Sequence, residues 1–209
     1  MSTMTFPDFR PAPNQGARPD LYDRVLVDLG CGSGYWLPGY AAQASTVIGV
    51  EPDPALRSLA AARDPRVRVL PGSAEYLPLG DATVDVVHAR FAYFWPPGCA
   101  AGLAEVRRVL KPGGTLVVVD NDQRAGDFAE LLRAAANAAL GQADVTDAWW
   151  AARGASRTEV MSRWQFSSRS DFEAVLRLEF PAGVADRWLA DHPDAFGLSY
   201  GYVLFALGR

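Results

Sequence analysis

The chain has 209 residues, of which 49% are hydrophobic and 21% charged, with a formal net charge of -4. That length is enough to bury the full core of one domain, and the negative balance supplies no basic field for a nucleic-acid partner. Cys31 and Cys99 form neither a disulfide framework nor a metal-ligand spacing, so a reducing, cytoplasmic compartment is expected.

Residues 1–20 carry Pro7, Pro11, Pro13 and Pro19 without periodicity and read as an extended N-terminal arm. They lack the basic end and apolar run of a signal peptide. No stretch of the chain reaches the roughly 18 continuous apolar residues of a membrane span, so no membrane partner is expected. From residue 21 to 209 the chain reads as a single domain.

Apolar runs at 24–29, 46–50, 66–70, 83–89 and 115–120 have strand length. Helical patterns at 35–44, 53–63 and 98–110 fall between them, with Pro38 tolerated in a first turn. The second places Leu56, Leu59 and Ala60 on one face, and the third does the same with Leu103, Val106 and Leu110. The stretch 112–114, "PGG", reads as a turn. Nearly all-apolar strands alternating with helices predict a parallel sheet covered on both faces.

After Asp120 the rhythm changes. A long helix is predicted over 127–141, an irregular segment with Trp149 and Trp150 over 143–156, and a strand over 159–166. Ser170 and Glu173 have the spacing of a capping box, opening another helix, and a strand is predicted over 198–208. One of the last two strands is expected to pair antiparallel at the sheet edge. The region around 121–158 is expected to form a cap-like segment.

The stretch "VDLGCGSGYW" (27–36) removes side-chain volume after the first strand, where an open α/β sheet binds its ligands. A phosphate loop of the Walker type needs a lysine at its end, but the only lysine, Lys111, lies far downstream. A dinucleotide fingerprint needs a third glycine where Tyr35 stands. That disfavours an NAD-dependent oxidoreductase.

The segment "DLGCGSG", followed by Glu51 at the end of the second strand, resembles the class I S-adenosylmethionine-dependent methyltransferases. The resemblance continues through "PGSAEYLPL" (71–79), "VDVVHARFAYFW" (84–95) and "LAEVRRVLKPGGTLVVV" (103–119), covering roughly residues 24–120. It is nearest to the small-molecule branch, the type 11-like methyltransferases. It implies a Rossmann-like, doubly wound seven-stranded α/β sheet, mostly parallel with an antiparallel last strand. It also implies S-adenosylmethionine as cofactor and S-adenosylhomocysteine as product.

By the same resemblance the cofactor is met by Asp28, Gly30, Cys31, Gly32, Gly34, Glu51, Pro52, Ser73, Ala74, Glu75 and Arg90. Glu51 is expected to accept both ribose hydroxyls, and bare backbone at Gly30–Gly34 is expected to let the methionine part approach. The family commonly has Asp where this chain has Ser73. A hydroxyl there accepts a bond from the adenine amino group without charge, and weaker cofactor binding is expected. Glu105 and Arg108 are expected to form a structural pair that positions a turn.

Trp36, Phe91, Phe94, Trp95, Trp149 and Trp150 are expected to wall or cap a substrate pocket. His88 and Tyr93 are candidate general bases, needed only if the acceptor arrives protonated. His192 reads as a surface loop residue. Asp120 and Asn121 resemble the acid–amide pair of metal-dependent O-methyltransferases, but "HARFAYFW" supplies no carboxylate to complete the oxygen cage, so no metal is expected. The expected activity is in-line methyl transfer to a small molecule. An S-adenosylmethionine- or S-adenosylhomocysteine-binding sensor or partner subunit is the alternative. The acceptor and the oligomeric state stay open.

Overall fold

The computed structural model describes residues 23–135 and 142–209. The expected N-terminal arm and the end of the helix predicted over 127–141 lie outside the described residues. In chain order the elements are β1 (Val25–Leu29), α1 (Leu37–Ala41), β2 (Thr46–Val50), α2 (Pro54–Ala61), β3 (Arg68–Leu70), β4 (Val84–Arg90), α3 (Ala100–Val109) and β5 (Leu110–Asn121). They continue with α4 (Asp127–Ala135), α5 (Gln142–Ala151), β6 (Ser156–Gln165), α6 (Arg169–Glu179), α7 (Ala182–Asp191) and β7 (Gly197–Gly208). The strands order as β3-β2-β1-β4-β5-β7-β6 in one seven-stranded sheet. Pairing is parallel from β3 through β5 and antiparallel across β5, β7 and β6. This is the mixed α/β sheet expected, with strand order reversing on either side of β1.

The chain divides into two compact units. The first contains the described residues up to Asp120, with Thr146–Arg157 and Leu204–Arg209. Its core is built from the inward residues of central strands, among them Val27, Val50, Val87 and Leu116, all almost fully buried. Helix α2 starts cleanly because the Asp53 carboxylate accepts from the amides of Ala55 and Leu56 at 2.7 and 3.0 Å, with Pro54 in the first turn. Helix α1 likewise has its proline at the start.

The second unit contains Asn121–Val145 and Thr158–Val203. Its core is aromatic: the Phe128 ring lies 5.0 Å from Trp164, 5.1 Å from Phe180 and 4.3 Å from Tyr200, all edge-on. Such pairs add about 0.5–1.5 kcal/mol each beyond their buried area. The start of α4 is tied down because Asp127 accepts from both the amide and the hydroxyl of Ser199 at 2.7 Å.

Several local expectations are corrected. The segment 143–156, read as irregular, is helical over α5. The cap of α6 is Ser168, whose hydroxyl accepts from the Asp171 amide at 3.1 Å, not Ser170. Glu173 instead bridges Arg169 and Arg177 along the helix, so it cannot reach back to close a capping box. Helix α7 was not expected, although Ala185, Trp188 and Leu189 bury one face at helical spacing. His192, read as a loop residue, follows α7 directly and stacks on Trp188 at 4.0 Å. The "PGG" stretch lies inside β5, with Gly113 at φ +79. No helix among the described residues is long and apolar enough to cross a membrane.

Candidate functional site

Strand β1 ends at Leu29, and the next turn is stitched to β2: the amides of Gly30 and Cys31 both donate to the Val50 carbonyl, at 2.9 and 3.2 Å. Gly30, Gly32 and Gly34 take φ values of +71, +55 and +77, which only glycine adopts without strain. Their surroundings differ. A Cβ on Gly30 would lie 2.6 Å from Ala92 Cβ, and one on Gly34 would lie 2.7 Å from the Ala60 backbone. Beside Gly32 there is nothing within 4 Å. Two of the three glycines are therefore bare so that protein can pack against them, and one is bare toward open space.

The side chain facing that turn is Glu51. It is buried, and its Oε2 accepts from the Gly32 amide at 2.9 Å while Oε1 accepts from the Asp53 amide at 3.0 Å. One amide occupies each oxygen, and a carboxylate oxygen has room for a second donor. Arg57 holds the backbone behind it, donating to the carbonyls of Glu51 and Pro52 at 3.0 and 3.1 Å. Pro52 itself is exposed.

Cys31 packs against β2: a Cβ on Gly49 would meet its Sγ at 2.9 Å. Burial, with the Asp28 and Glu51 charges, pushes its thiol up to about 12. It is a packing residue held as the neutral thiol.

Beneath the turn lies a polar cluster that local spacing does not reveal. Asp28 on β1 and His88 on β4 are register partners, and His88 Nδ1 sits 3.5 Å from Asp28 Oδ1. The Tyr40 hydroxyl of α1 lies 3.1 Å from the same nitrogen. Asp28 and His88 side chains are both largely buried. Burial first, and then the Asp28 charge, raise the Tyr40 hydroxyl well above the ordinary tyrosine range, so it stays protonated.

The segment after β3 closes on itself, with Ser73 and Tyr76 exchanging backbone hydrogen bonds of 3.1 and 3.2 Å. Ala74 is buried in it, while Ser73 is half-buried and Glu75 exposed. The Glu75 carboxylate is held below the usual range by its own backbone amide and by the hydroxyls of Ser73 and Tyr93. The rest of the segment is clamped from α3. Glu105 accepts from the Leu77 amide at 3.0 Å, and Arg108 donates to Glu105, to the Leu77 and Leu79 carbonyls and to Asp81. The Glu105–Arg108 pair is thus structural, as expected, and the chain it positions is 77–81.

The loop after β4 is backed by the glycine turn through Ala92. Phe91 and Tyr93 take φ values of +51 and +61, uncommon for bulky residues and a frequent mark of a functional segment. The Tyr93 hydroxyl accepts from the Gly102 amide at 3.0 Å. Arg90 places its guanidinium 4.6 Å from the Trp36 ring and 5.0 Å from the Phe91 ring.

The six expected pocket aromatics divide in two. Phe94 and Trp150 are buried and pack 5.9 Å apart, with Trp150 stacked on Phe205 at 5.4 Å. They are core, because neighbours from β7 and α5 close over them, which the sequence pattern could not show. Phe91 and Trp95 are exposed, and Trp36 and Trp149 half-buried. Trp149 carries the Arg153 guanidinium on its ring at 3.6 Å. In the second unit, Asn121 accepts a hydrogen bond from the Tyr200 hydroxyl. Sequence reading missed Ala92 and Tyr40 and took Ala60 only as part of a helix face; all three matter through contacts made from distant positions.

Residues 27–118 match the family described as a methyltransferase domain. An uncharacterized methyltransferase of Mycobacterium bovis is 37% identical over 110 residues, spanning 52% of this chain and 45% of that protein. A trans-aconitate 2-methyltransferase of Methylobacterium radiotolerans is 35% identical over 131 residues, spanning 61% of this chain and 50% of its own. The chain thus spans about half the length of these curated relatives. Among solved structures, the YcgJ protein from Bacillus subtilis superimposes with a TM-score of 0.61 at 18% identity, covering 90% of this chain and 92% of that one. The stretch 27–118, which carries the glycine turn and the acid at the end of β2, is thus similar to the methyltransferase domain family.

Proposed function

We propose that this protein is an S-adenosylmethionine-dependent methyltransferase acting on a small molecule. The observation that carries the reading is Glu51: a buried carboxylate fixed by two amides, one of them from Gly32, the glycine whose missing side chain leaves open space. Its remaining lone pairs suit a vicinal diol, and the bare backbone beside it suits close approach of a ligand.

In this reading Glu51 and Gly32 hold the ribose and methionine portions, while Ser73 and Ala74 meet the adenine. Glu75 and Pro52 border the same region. Arg90, whose guanidinium lies over the Trp36 and Phe91 rings, offers a positive charge for a carboxylate. Asp28 lies behind the turn and carries negative charge toward a cationic group. Gly30, Gly34 and Cys31 keep the turn in shape through packing.

When bound, the cofactor supplies a methyl group already activated on a sulfonium. The protein's share of the reaction is positioning and exclusion of water. Trp36, Phe91, Trp95 and Trp149 present aromatic surface to the acceptor. If the acceptor arrives protonated, His88 is the residue that takes the proton, with Asp28 fixing its ring. Tyr93 is unsuited, since its hydroxyl is engaged by Gly102 and Glu75. The relative named for trans-aconitate supports an anionic acceptor.

Calorimetry with S-adenosylmethionine and S-adenosylhomocysteine tests the reading, and binding of neither would end it. Transfer of labelled methyl from the cofactor to a fractionated small-molecule extract tests turnover. Tight cofactor binding with no transfer would favour a binding protein instead, a reading to which the engaged Tyr93 hydroxyl lends weight.

A further inference from the structure

Every second residue of a strand points to the same face. On the face covered by α1, β1 therefore presents Leu26 and Asp28, and β4 presents Val86, His88 and Arg90. Leu26 belongs to a buried apolar cluster with Leu37 and Val47, against which Val86 and Tyr40 pack. Asp28 and His88 form the first polar layer above that cluster. Asp28 is buried, and no lysine or arginine among the described residues forms an ion pair with it. Its partner is a group that can be neutral: His88 Nδ1, at 3.5 Å. A buried carboxylate is costly without a counter-charge, and His88 supplies one only while protonated.

The same nitrogen lies 3.1 Å from the Tyr40 hydroxyl, whose ring stands edge-on to the imidazole at 5.3 Å. A lone pair on Nδ1 would face the carboxylate, so the ring hydrogen belongs on Nδ1, with Asp28 and the Tyr40 oxygen as its acceptors. That leaves Nε2 to take up a proton. Few other charged or titratable groups surround the pair. Arg90 shares the face one step further along β4, with its guanidinium 4.6 Å from the Trp36 ring. Strand β5 places Val117 as the register partner of His88. At the glycine turn stand Cys31, held as the neutral thiol, and Glu51, whose oxygens accept from the Gly32 and Asp53 amides.

We propose that His88 is a proton site linked to the charge of the bound cofactor, its proton and the cofactor's positive charge being alternative counter-charges for Asp28. The inference rests on the proposed S-adenosylmethionine site. Asp28 lies two residues before Gly30, at the base of the turn assigned to that cofactor. A proton on His88 is disfavoured while a sulfonium lies near the carboxylate, and less so beside S-adenosylhomocysteine, whose sulfur is neutral. The linkage suits transfer to a hydroxyl acceptor. The acceptor's lone pair forms the bond to the methyl carbon, the S–C electron pair stays on sulfur, and the hydroxyl proton passes to His88 Nε2. One positive charge leaves the sulfur and one arrives beside Asp28, so the carboxylate stays compensated.

Calorimetry on the full chain tests this with S-adenosylmethionine and S-adenosylhomocysteine at about pH 7.5 and about pH 5.5, either side of the ordinary histidine value of about 6.5. The ratio of the first affinity to the second cancels the groups that the two ligands share. It should fall about fivefold or more at the lower pH, the smaller end of coupling between two sites. His88→Gln should abolish that change and His192→Gln should leave it, with melting temperatures showing that both variants fold. The linkage is reciprocal, so the His88 imidazole, one of two in the chain, should titrate at lower pH with S-adenosylmethionine bound than with S-adenosylhomocysteine. Proton NMR reads this on the unaltered protein. If the chain binds neither ligand, the cofactor reading is wrong and the linkage falls with it. If it binds both, and neither the ratio nor the His88 titration responds, the linkage is wrong and the cofactor reading stands. A ratio that still changes with pH in His88→Gln would assign the proton to another group and overturn the proposal.

Discussion

The amide of Gly32 donates to Glu51 Oε2 at 2.9 Å, tying the turn after β1 to the carboxylate at the end of β2. The bond does two things at once. It satisfies a buried charge, and it holds the one unobstructed glycine of the turn beside that charge. Removal of the carboxylate therefore carries two costs of different kinds. Glu51→Ala leaves the Gly32 and Asp53 amides without their charged acceptor, and each such hydrogen bond is worth about 1.5–3 kcal/mol. Denaturant unfolding should show that loss. Glu51→Gln keeps one acceptor oxygen and should be milder in stability, yet titration with S-adenosylhomocysteine should show affinity down at least about tenfold, as expected for loss of a charged acceptor.

Glycine substitutions should separate packing from ligand approach. Gly34→Ala drives a methyl to 2.7 Å from the Ala60 backbone at a φ of +77, and both faults act together. A loss of about 2 kcal/mol or more is expected, visible as a lower melting temperature. Gly39→Ala in α1 meets nothing within 4 Å and has no unusual φ. There the higher helix propensity of alanine should leave stability equal or up to about 1 kcal/mol greater. Equal damage from the two changes would refute the close packing of Gly34 on α2.

Arg108 serves four partners across a loop with no regular structure of its own: Glu105, the Leu77 and Leu79 carbonyls, and Asp81. Arg108→Ala should lower stability by about 1–3 kcal/mol, through the Leu77 and Leu79 carbonyls that lose this donor and the Glu105 carboxylate left with the Leu77 amide alone. Arg108→Lys should recover only part, because an ammonium cannot span a fork of acceptors. Hydrogen exchange of the Leu77 amide reads the same clamp locally and should speed up in both variants.

Thiol reactivity gives a pH test. Cys31 is pushed up to about 12 by burial and by the Asp28 and Glu51 charges, and burial raises Cys99 as well. In the folded protein both remain protonated through neutral and mildly alkaline pH. Unfolded cysteines ionise near their usual value of about 8.5. Because the folded values are raised, thiol ionisation favours the unfolded chain once pH exceeds that value, so stability should fall above about pH 9. Ellman's reagent at pH 8 should label native protein very slowly and denatured protein at two sites. Rapid native labelling of Cys31→Ser protein would place the error at Cys99, and of Cys99→Ser protein at Cys31.

An acid test runs in the opposite direction. Asp64 is lowered to about 2 by its hydrogen bonds with Arg66, whereas unfolded aspartate titrates near about 3.9. Its contribution is complete above the unfolded value and disappears as pH falls toward the folded one. Asp64→Asn should therefore narrow the stability gap between pH 5 and pH 2.5 in urea titrations, and an unchanged gap would count against the pairing.

Much of the sheet was legible in the sequence because each cue is local. A strand needs a short apolar run, a tight turn needs glycines, and a carboxylate must end β2; all are conditions on residue type at fixed spacing. Glu51 could be singled out for that reason before any contact was known. Local cues misled where two were available: Ser168 and Ser170 are equally good caps by type, and the chain path into α6 chose Ser168.

What the linear pattern could not supply were relationships between positions far apart in the chain. The sequence determined that residues 25–121 alternate as β and α and that the turn after β1 is bare. Only the tertiary structure decided what each glycine is bare toward: Ala92 for Gly30, Ala60 for Gly34 and open space for Gly32. The same holds for the aromatics, where Phe94 and Trp150 became core and Phe91 and Trp95 stayed exposed. The physical reason is that backbone preference acts over a few residues, whereas burial and hydrogen bonding are set by whichever distant atoms the fold brings within a few ångströms.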